Sequence, residues 1–150
     1  MKRFALIMTA ATVLTACSDG SSSQQEKAGR AATAFAEAYF NYDYARARDL
    51  TTTESARWIS FAASNVSKED IDVLNSRSEG ATVTLTDCQQ LNDTVYEALL
   101  VVDNYMAADS IGHPGVFHDG GIFRLKVVLR NGNWQVRMEG LPRNEMRSRD

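Results

Sequence analysis

Few groups in this chain could carry acid–base chemistry, and most lie close together. His113, His118, Asp103, Asp109 and Asp119 fall in one stretch, and Tyr39 and Tyr96 offer phenolic donors elsewhere. General acid–base work needs a group with a pKa near working pH, within hydrogen-bond reach of a substrate. His118 and Asp119 form the candidate catalytic pair. Against them, Gly112, Pro114, Gly115, Gly120 and Gly121 mark the region as a loop, where side chains usually face water. His113 and His118 are also wrongly spaced for one helical face. No C-x-x-C, H-E-x-x-H or third ligand accompanies them, so neither a metal nor a cofactor is expected. A nucleophile elbow and a glycine-rich phosphate loop are missing too. The reading is a non-catalytic domain.

The two cysteines differ in prospect. Cys17 closes Leu14-Thr15-Ala16-Cys17, after basic Lys2-Arg3 and an apolar run over residues 4–13. That run is too short for a resident membrane helix but suits a cleaved signal peptide. The four-residue ending resembles the lipobox of bacterial lipoproteins. The resemblance implies that the Cys17 thiol takes a diacylglycerol, that cleavage falls before it, and that the new amine is acylated. Acyl chains contribute about 0.8 kcal/mol per buried CH₂, so several hold a protein on a membrane. Ser18, rather than Asp, after the cysteine resembles outer-membrane sorting. Polar residues 18–25 read as a flexible tether. Cys88, then alone in the mature chain, reads as a small buried hydrophobe in a strand.

Removal of the signal leaves 14 basic and 19 acidic residues, or −5 in place of −3. That balance argues against nucleic acid as a partner, since its binders carry basic stripes. Length and composition suit one globular domain. The expected organisation is a signal peptide over 1–16, lipidated cysteine and tether over 17–26, a domain over 27–142, and a frayed charged tail over 143–150.

Residues 26–41 read as a helix, with Ala28, Ala31, Ala32, Phe35, Ala38, Tyr39 and Tyr42 on one face. Asp43 can cap a second helix through Leu50, and a third starts near Thr53 with Glu54 in its first turn. Its apolar residues form two stripes, as in a helix buried between layers. Ser67 and Asp70 open a fourth. From Ala81 the apolar period becomes two. Strands over 81–91 and 94–105, joined at Asn92-Asp93, set Val83 against Val102 and Leu85 against Leu100. Residues 107–121 read as a long loop. Residues 122–139 form a hairpin about Asn131-Gly132, the pair that best tolerates a type I′ turn. Leu129 then faces Trp134, Val127 faces Val136 and Leu125 faces Met138, while Arg124, Lys126, Val128 and Arg130 form a solvated outer face. Tyr39, Trp58, Tyr96 and Trp134 are the candidate cavity-lining residues, with core packing the competing role for each. Trp134 reads as a core anchor.

Helices followed by a curved meander ending in Asn131-Gly132-Asn133-Trp134-Gln135-Val136 resemble the NTF2-like superfamily, a cystatin-like α+β roll. Phe35-Ala36-Glu37-Ala38-Tyr39-Phe40, Asp43-Tyr44-Ala45 and Leu50-Thr51 resemble the small lipoproteins typed as DUF4878-like within it. The resemblance implies an α+β fold, with N-terminal helices packed on a curved antiparallel sheet and a cone-shaped cavity at one end. Fold alone does not carry function. The expected role is an envelope lipoprotein that binds a small hydrophobic ligand or an envelope protein. The alternatives are an isomerase- or dehydratase-type enzyme using Asp or His in the cone, and an assembly subunit forming a homodimer through its sheet.

Overall fold

The computed structural model describes residues 19–108 and 112–147, so Cys17 and Asp109 lie outside it. Helix α1 (Asp19–Phe40) comes first. Its residues Ala28, Ala32, Phe35, Ala36 and Ala38 are all buried, at the spacing that lines one face. Small side chains let the sheet come close. At Gly29 a Cβ would sit 2.7 Å from Leu85 Cδ2.

The expected tether is corrected here: residues 19–25 are the first turns of α1. Gln24 Oε1 accepts from Trp134 Nε1 at 2.9 Å, and Gln25 Nε2 donates to the Cys88 carbonyl at 2.7 Å. Tertiary hydrogen bonds hold a stretch whose composition reads as linker. The helix ends in a Schellman motif, with Asp43 N–H bonded to Ala38 O and Tyr42 N–H to Tyr39 O. Tyr42 takes the left-handed seat (φ 64) that glycine or asparagine usually fills. Helix α2 (Tyr44–Asp49) follows, capped as expected by Asp43, whose side chain accepts from Arg46 N–H.

The main sheet has the order β1-β2-β5-β6, all antiparallel, and it is curved without closing into a barrel. Its strands are β1 (Thr82–Asn92), β2 (Val95–Asp103), β5 (Gly121–Arg130) and β6 (Asn133–Arg137). The last hairpin has the expected register, with Leu129↔Trp134 and Val127↔Val136 paired. Asn131 (φ 51) and Gly132 (φ 79) form its turn. The first hairpin reaches Val83↔Val102 and Leu85↔Leu100 by another route. Its turn is Asp93-Thr94, and irregularities at Leu85/Asp87 and Gln90/Asn92 take up the difference. The first irregularity also turns Cys88 inward, where it is buried and its thiol lies 3.7 Å from the Gln25 carbonyl.

Three further expectations are corrected. The stretch 107–121 is not all loop, because β3 (Tyr105–Ala107) pairs with β4 (Val116–His118) as a separate ribbon. The outer sheet face is less solvated than its charges suggest, with Val128 only 3% exposed. The charged tail is held as far as Arg147: Asn144 Oδ1 accepts from Ile122 N–H, and Glu145 pairs with Arg124 at 2.8 Å.

Helix α3 (Ala56–Ser64) buries one stripe, Ile59 and Ala62, and leaves Phe61 51% exposed, so it is not sandwiched between layers. Helix α4 (Lys68–Ser76) carries the expected capping box between Ser67 and Asp70. Segment 50–52 extends the sheet beyond β6: Val136 N–H donates to Leu50 O, and Thr52 N–H donates to Val136 O. Ser55, fully buried, closes that corner. Its Oγ accepts from Met138 N–H at 2.7 Å and lies 2.8 Å from Thr52 Oγ1.

Replacing Ser55 with alanine strips a buried amide of its acceptor, which costs about 1–3 kcal/mol. Ser55→Ala should lower unfolding stability in urea by that amount. A loss under about 0.5 kcal/mol, typical of surface changes, would mean that Met138 N–H finds another partner.

Candidate ligand cavity

The residues between Tyr39 and Tyr44 (Y-F-N-Y-D-Y) place four aromatic rings around the end of α1. The Schellman turn reverses the chain there, so the rings gather. Tyr39 and Tyr44 lie 5.7 Å apart and Tyr42 and Tyr44 5.5 Å apart, while Phe40 packs 4.5 Å from Phe123. Facing them, α3 presents Trp58, Phe61 and Ala62, and the segment Gly140–Arg143 forms a third wall. The space between them is a half-open cavity of about 680 Å³, within the range of small-molecule sites. Asn144 pins the third wall, donating from Nδ2 to the Tyr105 hydroxyl at 2.9 Å. Gly115 closes the β3 side against Met106, where a Cβ would meet Cγ at 2.6 Å.

The wall carries the tyrosine hydroxyls, the carboxylates of Asp70 and Glu139, and the guanidinium groups of Arg143 and Arg147. Burial pushes the Tyr42 hydroxyl up to about 12, with Asp70 adding and Arg77 opposing. Burial also raises Tyr39, with Tyr42 adding, and raises Tyr44, with Tyr39, Tyr42 and Asp70 adding. All three stay neutral at physiological pH. Asp70 moves the other way. The Gly115 and Ser67 amides lower its pKa, against desolvation, so it stays ionised and is a poor proton acceptor. Both its oxygens are engaged, Oδ1 by Gly115 N–H at 2.9 Å and Oδ2 by Ser67 N–H at 2.9 Å and Ser67 Oγ at 2.8 Å. Trp58 Nε1 is buried without an acceptor, and the Arg57 guanidinium stacks on its ring at 5.2 Å.

Of the four candidate lining residues, Tyr39 and Trp58 face the cavity. Tyr96 and Trp134 do not, which corrects that expectation. Tyr96 is 1% exposed in the core, and Trp134 packs edge-on against it at 5.2 Å. Trp134 is itself half-buried, so it seals the core's edge instead of anchoring its centre. His118 and Asp119 lie outside the cavity wall. His118 is in β4, 5.7 Å from the Tyr105 ring, with Nε2 3.4 Å from Arg147 Nη2. Asp119 Oδ1 accepts from Asn104 N–H at 2.8 Å, and Asp103 Oδ1 from Gly120 N–H at 2.6 Å. These carboxylates hold turns. His113 is exposed. Among the described residues, no three His, Cys, Asp or Glu side chains converge as metal ligands.

Sequence reasoning missed Phe61, Tyr105 and the Gly140–Arg143 wall. The aromatic density between Tyr39 and Tyr44 was the available signal. No described helix is long and apolar enough to cross a membrane. The chain is an α+β roll with an aromatic-walled cavity at one end. No family model, curated protein or solved structure matches it.

A folded-state pKa raised above the ordinary 10 means that the unfolded chain releases its phenolic proton first. Stability from these tyrosines is therefore full below pH 10 and falls as pH climbs toward 12. An alkaline NMR titration of the tyrosine rings, run beside urea unfolding, should show both effects. Ionisation of Tyr39, Tyr42 and Tyr44 near 10 in the folded protein would contradict the burial described.

Proposed function

We propose that this chain is a lipid-anchored protein of the bacterial cell envelope, outer membrane included, whose NTF2-like domain binds a small, flat, apolar ligand without transforming it. The observation that carries the reading is the aromatic cavity itself. Rings from α1, α2, α3 and β3 line about 680 Å³. They offer offset and edge-on stacking worth about 0.5–1.5 kcal/mol per ring beyond area burial. The tyrosine hydroxyls are neutral, so they orient a polar substituent without demanding a charge. Of the two carboxylates in the wall, Asp70 is committed to backbone and side-chain donors and Glu139 is paired with Lys126 and Arg137. A binding role uses all of these groups as they stand; acid–base catalysis would need one of them released. The ending Leu14-Thr15-Ala16-Cys17 supports the anchor.

Titration calorimetry with 2-naphthol is the direct test. One-to-one binding is expected, and Phe61→Ser should weaken it about tenfold, the loss of roughly 1.4 kcal/mol of ring contact. Phe61 is half exposed, so this change spares the core. No binding to the parent protein, or equal binding to the variant, would contradict the assignment.

A further inference from the structure

The two ends of α1 carry different things. Near its N-terminus, Gln25 bonds Cys88 within β1, and Gln24 bonds Trp134. Trp134 follows the Asn131-Gly132 turn and pairs with Leu129, whose N–H bonds Thr94 O in the other closing turn. At its C-terminus lies the aromatic cavity. At about 1.5 Å per residue, the 22 residues of α1 hold these ends roughly 33 Å apart.

Cys17 is two residues before the first residue of α1. Two residues reach at most about 7 Å in any conformation. The lipid on Cys17 therefore brings the start of α1, and with it the hairpin turns, to the bilayer surface. That end offers Leu91, 50% exposed, for the interface and the exposed Arg130 for lipid phosphates.

We infer that the domain stands on the membrane on its hairpin-turn end, with the aromatic cavity opening away from the bilayer. Its ligand then arrives from the aqueous compartment or from a facing protein, not by lateral entry from the lipid. The inference rests on the reading of Cys17 as the anchor.

The two native tryptophans mark the two ends: Trp134 beside the start of α1, Trp58 in the cavity wall. Lipidated protein is reconstituted in phosphatidylethanolamine–phosphatidylglycerol vesicles containing a dansyl-headgroup lipid. Energy transfer is read in Trp58→Phe, where Trp134 alone emits, and in Trp134→Phe, where Trp58 alone emits. Because transfer falls with the sixth power of distance, Trp134 should transfer several-fold more strongly than Trp58. Equal transfer, as from a domain lying on its side, or stronger transfer from Trp58 would overturn the orientation while leaving the anchor intact. Cys17→Ser should stay in the aqueous phase. A parent protein that does not bind vesicles would instead overturn the anchor, and the orientation with it.

Discussion

Along α1, the size of the side chains that meet the sheet changes from small to large. Ala28, Ala32, Ala36 and Ala38 join Ala98, Leu100, Val102, Val127 and Val136 in one buried cluster. Phe35 is fully buried among them, and the methyl groups around it let the sheet come close to the helix. In the last turn Tyr39 and Phe40 follow Ala38, and the Schellman turn adds Tyr42 and Tyr44. Rings of that size hold the layers apart. The cavity is thus the wide end of a wedge, whose narrow end the alanines set.

Such a wedge would collapse if its walls could slide, and four polar side chains prevent that. Asn41 binds the end of α1 to Ala81, accepting from its N–H at 2.9 Å and donating to its carbonyl at 3.1 Å. Ser55 ties the chain before α3 to Met138, Asp70 ties α4 to Gly115, and Asn144 ties the last segment to Tyr105 and Ile122. Each joins elements far apart in sequence. A satisfied hydrogen bond adds only about 1 kcal/mol net, but leaving a buried group unpaired costs more, so these ties fix position more than they add stability.

What the sequence disclosed was local. Asn131-Gly132 announced its hairpin because few residue pairs tolerate two positive φ angles, and the alternation beside it set the register. Asp43 and the Ser67–Asp70 box announced helix starts by similar short-range chemistry. The misses depended on partners distant in the chain. Residues 19–25 look like a linker until Trp134 and Cys88 supply hydrogen bonds. The turn after β1 could not be placed, because two irregularities compensate for its shift. The cavity was half legible: Tyr39 and Trp58 lie on its wall, whereas Tyr96 and Trp134 went to the core, since an aromatic on an inward face looks the same in either role. The Gly140–Arg143 wall gave no periodic signal at all.

Packing is tight along the buried face of α1 and open at the aromatic end. Making the same substitution at two helical alanines tests it. Ala36 is fully buried in the narrow part, and Ala62 borders the cavity. Overfilling a well-packed core costs about 1–3 kcal/mol. Unfolding stability in urea should therefore fall by that amount for Ala36→Leu and stay within about 0.5 kcal/mol of the parent for Ala62→Leu. Equal losses at the two positions would show that the wide end is packed as densely as the narrow one, and the wedge would not exist.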